Sequence, residues 1–437
     1  MTMESLIIGI SAIALLLVLI SLGVHIAVAL GILGLLGIVY LNNLEAALSL
    51  IARSFYKTTS TYGFSVLPLF IIMGHFAAAS GIMEGAYRFA TRWLSNLRGG
   101  LYLVTTSACA LFAACTGSSS ATAVAIGKSV LPEMQRHGYN RSLSLGCIAV
   151  CGTLGVLIPP SVPLVMYGIA TEESIGRLLL AGVVPGVVTT LVYLIGISFM
   201  VRIKRHLAPP TVAFTWKQRV KSVPDVWGVA LLFGIVIGGI YSGVFTPTEA
   251  GSWGAFAAVV LLAIRTRKRF FREAKIAGWE TVGTTAMIFF LIMTAIVFTN
   301  FLTLSGFVGA IVDFIVGGRF SPLLVLTLFI GISIILGMFM SAAAALLLIS
   351  PIAHATLTPL GFDGIWLGII MVKMFEIAVV TPPVATNLYV TQSLCPEASI
   401  GEVIRGTVPF LVMELVTIVI LVVFPQISLW LPTMAYG

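Results

Sequence analysis

Long runs of apolar residues recur along the whole chain, and they constrain its fold more than any other feature. Ten runs occupy residues 5–21, 24–41, 64–81, 142–169, 177–200, 226–243, 247–264, 282–304, 363–392 and 407–430. Of the 437 residues, 59% are hydrophobic and only 9% are charged, whereas about a quarter of the residues in soluble domains are charged. A helix of about 20 apolar residues crosses a bilayer. The sequence therefore predicts an all-α polytopic membrane protein embedded in a lipid bilayer.

The basic residues lie in a few loops between these runs, and they predict the orientation of the chain. The net charge is +8, but no basic face carries interleaved aromatic residues, so nucleic-acid binding is not expected. Basic loops of membrane proteins tend to stay in the cytoplasm. Two of them, 202–221 and 265–275, are separated by two spans and fit the cytoplasmic side together. The same count places Arg88, Arg92, Arg98, Lys128, Arg136, Arg141 and Arg405 inside, and Arg53, Lys57, Arg177 and Arg319 outside. Both termini are then predicted to face outward.

Three pairs of similar segments indicate an internal repeat. Their offsets are about 220–225 residues, and the pairs are 68–82 with 289–307, 158–167 with 380–390, and 174–185 with 399–409. By the charge count, the first copy opens to the cytoplasm and the second opens outward. An inverted repeat of this kind is typical of secondary transporters, which bind their substrate at the repeat interface near the middle of the membrane.

Two apolar segments, 101–131 and 322–350, are each interrupted near the middle. Residues 101–115 form about 22 Å of helix, which is shorter than the ~30 Å hydrocarbon core. The hydroxyl-rich sequence TGSSSAT (116–122) follows this helix, and GMFMSAAA (337–344) has the corresponding place in the second segment. Non-helical backbone inside a membrane is tolerated only where protein or a polar cavity surrounds it. We therefore predict two re-entrant helical hairpins whose tips stop inside the membrane.

A proline pair interrupts the span that follows each hairpin, which predicts two broken helices. CGTLGVLIPPS (151–161) breaks the span 142–169, and TPPVATN (381–387) breaks the span 363–392. Freed carbonyls and hydroxyls suit a monovalent cation, while half-helix N-termini suit an anion. The predicted substrate contacts are the polar side chains of the tips and breaks, namely Ser119, Ser120, Thr122, Ser161, Ser341, Thr386 and Asn387. The alternative is that these hydroxyls only mediate close helix packing.

Four motifs in this order, GSSSATAVAIGKSVLPEMQRHGYNRS, IPPSVPLVMYG, FTPTEAG and TPPVATNLYV, resemble the large membrane subunit of TRAP (tripartite ATP-independent periplasmic) transporters. The resemblance covers essentially the whole chain. It implies a permease of the bacterial cytoplasmic membrane that imports a small organic anion with sodium, by an elevator mechanism and without an organic cofactor. It also implies two protein partners, a small four-helix membrane subunit and a periplasmic substrate-binding protein.

The resemblance further implies two or more sodium ions and a division of the chain into two bodies. The candidate sodium ligands are Ser118, Ser119, Gly152 and Pro159 in the first repeat, and Gly337, Met338, Thr381 and Asn387 around the second hairpin and break. Ser341 departs from the family pattern, since an acidic residue is usual at that tip. Residues 99–200 and 321–437 would form a transport domain, and residues 1–98 and 201–320 a scaffold.

Two other functions remain as alternatives. A sodium/dicarboxylate symporter with related hairpins would need no binding protein. An intramembrane enzyme would need clustered acid–base residues, but the candidates His75, Lys373, Glu376 and Glu414 are scattered over distant segments, so no enzyme is expected. Lys373 and Glu376 lie three apart on one helix face and are predicted to pair, because an unpaired charge in a membrane is costly. Glu414 and His75 are predicted to make interhelical hydrogen bonds.

Overall fold

The computed structural model describes residues 2–97, 99–204, 207–208, 214–318 and 320–436. These residues form helices joined by short connections, with no β-strand among them. Within them, eight helical segments are long and apolar enough to cross a membrane, or nine when one bent pair counts as a single span. The predicted all-α polytopic fold is therefore confirmed. Three basic residues that entered the orientation count, Arg98, Arg205 and Arg319, lie outside the described residues.

The described residues up to 204 form eleven helices, with a 3-10 turn leading into the fourth. Their bounds are α1 Thr2–Ser21, α2 Ile26–Leu41, α3 Leu44–Ser60, α4 Val66–Ala79, α5 Ile82–Leu94, α6 Gly100–Thr116, α7 Ser119–Arg136, α8 Arg141–Cys151, α9 Leu154–Leu157, α10 Val162–Thr171 and α11 Ile175–Ile203. Helices α6 and α7 are the arms of the first predicted hairpin. Helices α8 to α10 are the first broken span, which bends by 47°.

The described residues from 214 onward form twelve more helices. Their bounds are α12 Trp216–Val220, α13 Trp227–Phe233, α14 Gly239–Tyr241, α15 Pro247–Thr266, α16 Phe270–Leu304, α17 Phe307–Gly317, α18 Pro322–Phe339, α19 Ala342–Leu357, α20 Gly364–Ala378, α21 Thr386–Ser393, α22 Ile400–Val423 and α23 Gln426–Tyr436. A π-helical turn joins α13 to α14. Helices α18 and α19 are the arms of the second hairpin, and α20 and α21 are the second broken span.

The last predicted span, 407–430, is wrong at both ends. Helix α22 already begins at Ile400 and stops at Val423. Phe424 leaves the helical region, with φ −122° and ψ 73°, because the residue before a proline is sterically disfavoured in the α conformation. The chain restarts as a separate helix, α23, after Pro425.

Capping residues recur in the two halves of the chain at nearly constant spacing, as expected for a repeat. A side-chain oxygen before a helix accepts a hydrogen bond from an otherwise unpaired amide of the first turn. The capping pairs are Ser118 with Ser341 and Asn140 with Asp363, each 223 residues apart, and Ser174 with Ser399, 225 residues apart. Each half also contains one cis Pro–Pro bond, at Pro159–Pro160 and at Pro382–Pro383.

Helix α22 shows that the two repeats run in opposite directions. Near its beginning, Glu402 accepts two hydrogen bonds of 2.9 Å from Nη2 of Arg141, the first residue of α8. Near its end, the carbonyl of Leu421 accepts a hydrogen bond of 2.9 Å from the indole of Trp366, near the start of α20. Helices α8 and α20 therefore begin at opposite ends of a 24-residue helix, which is about 36 Å long. The predicted inversion of the repeats is confirmed.

Candidate functional site

The first hairpin reverses direction at Gly117 and Ser118. Helix α6 ends at Thr116, and Gly117 follows with φ 62°, a conformation that glycine adopts without steric cost. Ser118 is extended, and its hydroxyl accepts a hydrogen bond from the amide of Ala121 at 3.4 Å, which starts α7. The turn therefore takes only two residues, and it leaves the polar residues that follow at the N-terminal end of a helix.

Both hairpin tips lie beside the proline breaks, well short of the far end of the broken helices. A Cβ atom on Gly117 would lie 2.8 Å from the carbonyl oxygen of Pro160, and the amide of Val384 donates to the carbonyl of Met338 at 3.1 Å. Beyond the breaks, α10 continues for 10 residues and α21 for 8, or about 15 Å and 12 Å. The hairpins are therefore re-entrant. For the second hairpin, this could not be known from length, because each arm is long enough to cross a membrane.

Two glycines let the first tip pack directly against the first broken span. A Cβ atom on Gly155 would lie 2.6 Å from the Thr122 hydroxyl and 2.7 Å from the Ser118 carbonyl oxygen. One on Gly152 would lie 3.0 Å from the Ser119 carbonyl oxygen. The Thr122 hydroxyl donates to the Ser118 carbonyl at 2.8 Å. The absence of two side chains thus creates a close contact lined by oxygen atoms.

Asn387 from the second repeat completes this contact. Its side chain is buried, and its Oδ1 atom accepts a hydrogen bond from the hydroxyl of Ser119 at 3.3 Å. Its Nδ2 atom donates to the carbonyl of Ala149 in α8 at 3.1 Å. Asn387 therefore joins the first tip, the first broken span and the start of α21. Its hydrogen bond with the Ser119 side chain connects the two repeats and places Asn387 beside the first tip.

The second tip is built like the first, but with fewer polar side chains. Ser341 caps α19 by accepting a hydrogen bond from the amide of Ala344 at 3.3 Å. A Cβ atom on Gly337 would lie 2.6 Å from that of Ala378, so this glycine allows α18 to approach α20 closely. Ala385, the last residue of the break, has φ 32°, which is unusual for a residue with a side chain. The second tip and break therefore meet mainly through backbone atoms.

Several predicted site residues use their side chains locally. Ser161 caps α10 and donates to the carbonyl of Val156, and the Thr381 hydroxyl donates to the carbonyl of Ile377 at 2.7 Å. Pro159 lies against α11, 3.2 Å from where a Cβ on Gly182 would be. Thr386 is exposed and Ser120 is partly exposed at the start of their helices. The structure thus gathers Ser118, Ser119, Thr122, Gly152 and Asn387 in one cluster and leaves the others around it.

The atoms of this cluster fit a hard monovalent cation. They are carbonyl, hydroxyl and amide oxygens, the ligands that hard cations prefer in proteins, and a Cβ atom on Gly152 or Gly155 would fill the space beside them. Within the described ranges, no group of three or more His, Cys, Asp or Glu residues is placed to hold a metal ion. The donor atoms of this cluster are compatible with an alkali-metal ion.

A cavity of about 860 Å³ lies at the end of the molecule that is predicted to face outward. Its lining includes the basic residues Arg53 and Lys57 of α3 and the acidic residues Glu172 and Glu173, which follow α10. Helices α16 and α19 also line the cavity, so it lies between elements assigned to the scaffold and to the transport domain. Sequence reasoning missed this cavity. The available signal was the pair of basic residues Arg53 and Lys57, which entered only the prediction of the chain's orientation.

Lys373 lies at the centre of a buried charge cluster inside this helical bundle. Its Nζ atom is 2.6 Å from Oε2 of Glu376 and 2.7 Å from Oε2 of Glu414, and all three side chains are inaccessible to solvent. The hydroxyl of Tyr193 in α11 donates to the other oxygen of Glu414. The predicted Lys373–Glu376 pair and the interhelical role of Glu414 are both confirmed.

Two further polar residues, His75 and Glu249, have structural partners. Nδ1 of His75 in α4 is 3.3 Å from Oε2 of Glu280 in α16, which agrees with the predicted interhelical hydrogen bond. Glu249 forms a capping box with Thr246 at the start of α15. The five cysteines are buried and free.

Comparison with known proteins identifies the family. Residues 13–427 match the family described as "Tripartite ATP-independent periplasmic transporter, DctM component". The chain is 36% identical over 384 residues to the C4-dicarboxylate TRAP transporter large permease protein DctM of Pseudomonas aeruginosa, covering 87% of this chain and 89% of the relative. It is 32% identical over 408 residues to the isethionate TRAP transporter permease protein DctMQ of Oleidesulfovibrio alaskensis, covering 93% of this chain and 64% of the relative.

A solved structure agrees with the fold. The crystal structure of the Alcanivorax borkumensis YdaH transporter, described as having an unusual topology, superposes with a TM-score of 0.66 and covers 90% of this chain and 89% of that one. At 16% sequence identity, this likeness concerns the fold alone. The family match shows that the chain belongs to the DctM component family of the tripartite ATP-independent periplasmic transporters.

Proposed function

We propose that this chain is the large permease component of a sodium-coupled transporter that imports a small organic anion across the bacterial cytoplasmic membrane. Its partners are a small four-helix membrane subunit and a periplasmic substrate-binding protein. The family name describes a tripartite system, and the DctMQ relative is long enough to include a second membrane subunit in the same chain. The C4-dicarboxylate and isethionate relatives support an organic acid as substrate.

The contact between Ser119 and Asn387 is the observation that carries this proposal. It joins the two inverted repeats where two half-helices, α7 and α21, begin. The start of α10 is also close, because a Cβ atom on Gly117 would lie 3.2 Å from the amide of Val162. Helix N-termini carry partial positive charge and bind anions. The N-terminal ends of α7, α10 and α21 around this cluster of oxygen atoms suit the joint binding of an organic anion and sodium.

Reconstitution tests the tripartite function and separates it from the binding-protein-independent symporter. Vesicles containing this chain and its small membrane subunit are expected to take up organic acid only when the cognate binding protein is added with its ligand. Equal uptake of the free acid without the binding protein would favour the self-sufficient symporter. Catalytic turnover of the acid without its transport would favour the enzyme.

Ser119→Ala and Asn387→Ala are each expected to raise the sodium concentration for half-maximal uptake about three- to tenfold. Each substitution removes the hydrogen bond between Ser119 and Asn387, which is worth roughly 0.5–1.5 kcal/mol, and Asn387→Ala also removes the bond to Ala149. Uptake in vesicles at varied sodium concentration measures the effect. Ser198→Ala is the matched control, because the Ser198 hydroxyl bonds only within α11, to Leu194. An unchanged sodium dependence in both cluster variants would remove these residues from the sodium site.

Transport is proposed to follow an elevator mechanism with the tips, the breaks and the helices after them as the moving body. The cavity between α3 and α16 on one side and α10 and α19 on the other supports a movable boundary at this place. Substrate and sodium would travel with the moving body, because the cluster at Ser119 and Asn387 lies wholly within it. The remaining helices and the small partner subunit would form the stationary frame.

The orientation is proposed with both termini in the periplasm. In a background without native cysteines, His137→Cys after the first hairpin is expected to react with an impermeant thiol reagent only from the cytoplasm. Ala355→Cys, at the end of the second hairpin, is expected to react only from the periplasm. Both positions are exposed. If each position reacts only from the side opposite to the expected one, the chain has the reverse orientation. If both positions react from the same side, the inverted repeat is contradicted.

A further inference from the structure

The cluster of Lys373, Glu376 and Glu414 contains one basic and two acidic side chains. One ammonium group lies between two carboxylates, and their side chains expose no surface to solvent. With all three groups ionised, the cluster has a net charge of −1. Burying an uncompensated charge is strongly unfavourable, and such a group normally takes up a proton or another partner.

The surroundings of the cluster supply no second positive charge. Tyr193 faces it from α11 and donates a hydrogen bond to Glu414. Cys151 and Thr153, two residues apart at the first broken span, also face Glu414. Tyrosine, cysteine and threonine are neutral when protonated, so among the described residues Lys373 is the cation that contacts these carboxylates.

Two carboxylate oxygens in the cluster lack a hydrogen-bond donor. Oε1 of Glu376 and Oε2 of Glu414 are both buried and have no hydrogen-bond partner among the described residues. The contact of 2.7 Å between Glu414 and Lys373 is therefore an ion pair without hydrogen-bond geometry. Both oxygens are inaccessible to solvent, so a water molecule does not supply the missing hydrogen bond, whereas a proton needs no additional room.

We propose that Glu376 and Glu414 together bind one proton at neutral pH, in addition to the proton on Lys373. This proton makes the buried cluster neutral. The proton is bound only while both carboxylates are present. Removing either one leaves one ammonium and one carboxylate, whose charges cancel without an additional proton. The site binds a proton, and it shares no residue with the oxygen cluster at the hairpin tips.

Infrared spectroscopy tests this proton directly, because the C=O band of a protonated carboxyl group is separate from the bands of an ionised one. The purified protein at neutral pH, in a detergent without ester groups, is expected to show this band. Glu376→Gln and Glu414→Gln are each expected to abolish it, since the remaining pair is balanced. Lys373→Met is expected to about double it, because two carboxyl groups then each need a proton.

Glu249→Gln is the matched control, since Glu249 is an exposed capping carboxylate and its loss is expected to leave the band unchanged. Thermal unfolding of each variant verifies that it is folded, and the two glutamine variants suffice if Lys373→Met fails this check. Absence of the band in the unmodified protein would overturn the proposal. So would a band of undiminished intensity in either glutamine variant. The spectra are independent of transport, so they are decisive whatever the substrate.

Discussion

Gly155→Val is expected to lower uptake by about 100-fold or more while the protein still inserts and folds. A Cβ atom at this position would lie 2.6 Å from the Thr122 hydroxyl and 2.7 Å from the Ser118 carbonyl oxygen, so the first tip must move away from the broken span. Overpacking of this kind costs about 1–3 kcal/mol in stability. The larger effect falls on transport, because a displacement of about 1 Å at a binding site can cost about 100-fold in rate.

The matched control for this substitution is Gly331→Val in α18. A Cβ atom on Gly331 meets no atom within 4 Å, so the added side chain should leave transport within about twofold of the unmodified protein. Uptake is measured in vesicles with equal amounts of folded protein, verified by size-exclusion chromatography. Uptake by Gly155→Val at the rate of the control would show that the close contact of the first tip is dispensable.

A crosslink across the cavity between α3, α10, α16 and α19 is expected to abolish transport. Ile296 of α16 and Leu347 of α19 both line this cavity, and they belong to the proposed frame and to the proposed moving body, respectively. With cysteine at both positions in a background without native cysteines, a short bifunctional thiol reagent should stop uptake, because the two bodies can no longer slide past each other. Sodium binding to the crosslinked protein should persist, since the cluster at Ser119 lies within one body.

A second crosslink, within the proposed frame, controls for the chemistry. A Cβ atom on Gly31 of α2 would lie 3.1 Å from the side chain of Thr294 in α16, so cysteines at these two positions can be joined without connecting the two bodies. This crosslink should leave uptake unchanged. Full uptake by a protein with a verified crosslink between positions 296 and 347 would contradict the elevator mechanism.

Local features of the sequence predicted most of the fold. Apolar runs located the membrane helices, because a helix in lipid must satisfy its backbone internally and present apolar side chains. The proline pairs located both breaks, since proline cannot continue the hydrogen bonding of a helix. Ser118 and Ser341 mark the restarts of the helices at the two tips, and their spacing reflects the repeat. In each case the determining residue lies within one helical turn of the feature.

Contacts between distant segments were harder to predict. Asn387 was recognised as a candidate, but its hydrogen bonds to Ser119 and Ala149 link residues more than 230 positions apart. Lys373 was paired with Glu376 from their spacing, whereas its contact with Glu414 depends on how α20 packs against α22. The cavity was missed for the same reason, because it exists only between helices. No pattern within a single segment of the sequence determines which distant segments come into contact.

The measurement that tests the central claim most directly is accumulation of the organic acid against its gradient in vesicles. The vesicles contain the permease and its small subunit, with the loaded binding protein outside, and the cation gradient is varied. An inward sodium gradient is predicted to drive accumulation, and an equal potassium or choline gradient is predicted to drive none. Equal accumulation with sodium, potassium and choline would contradict sodium coupling at the hairpin tips.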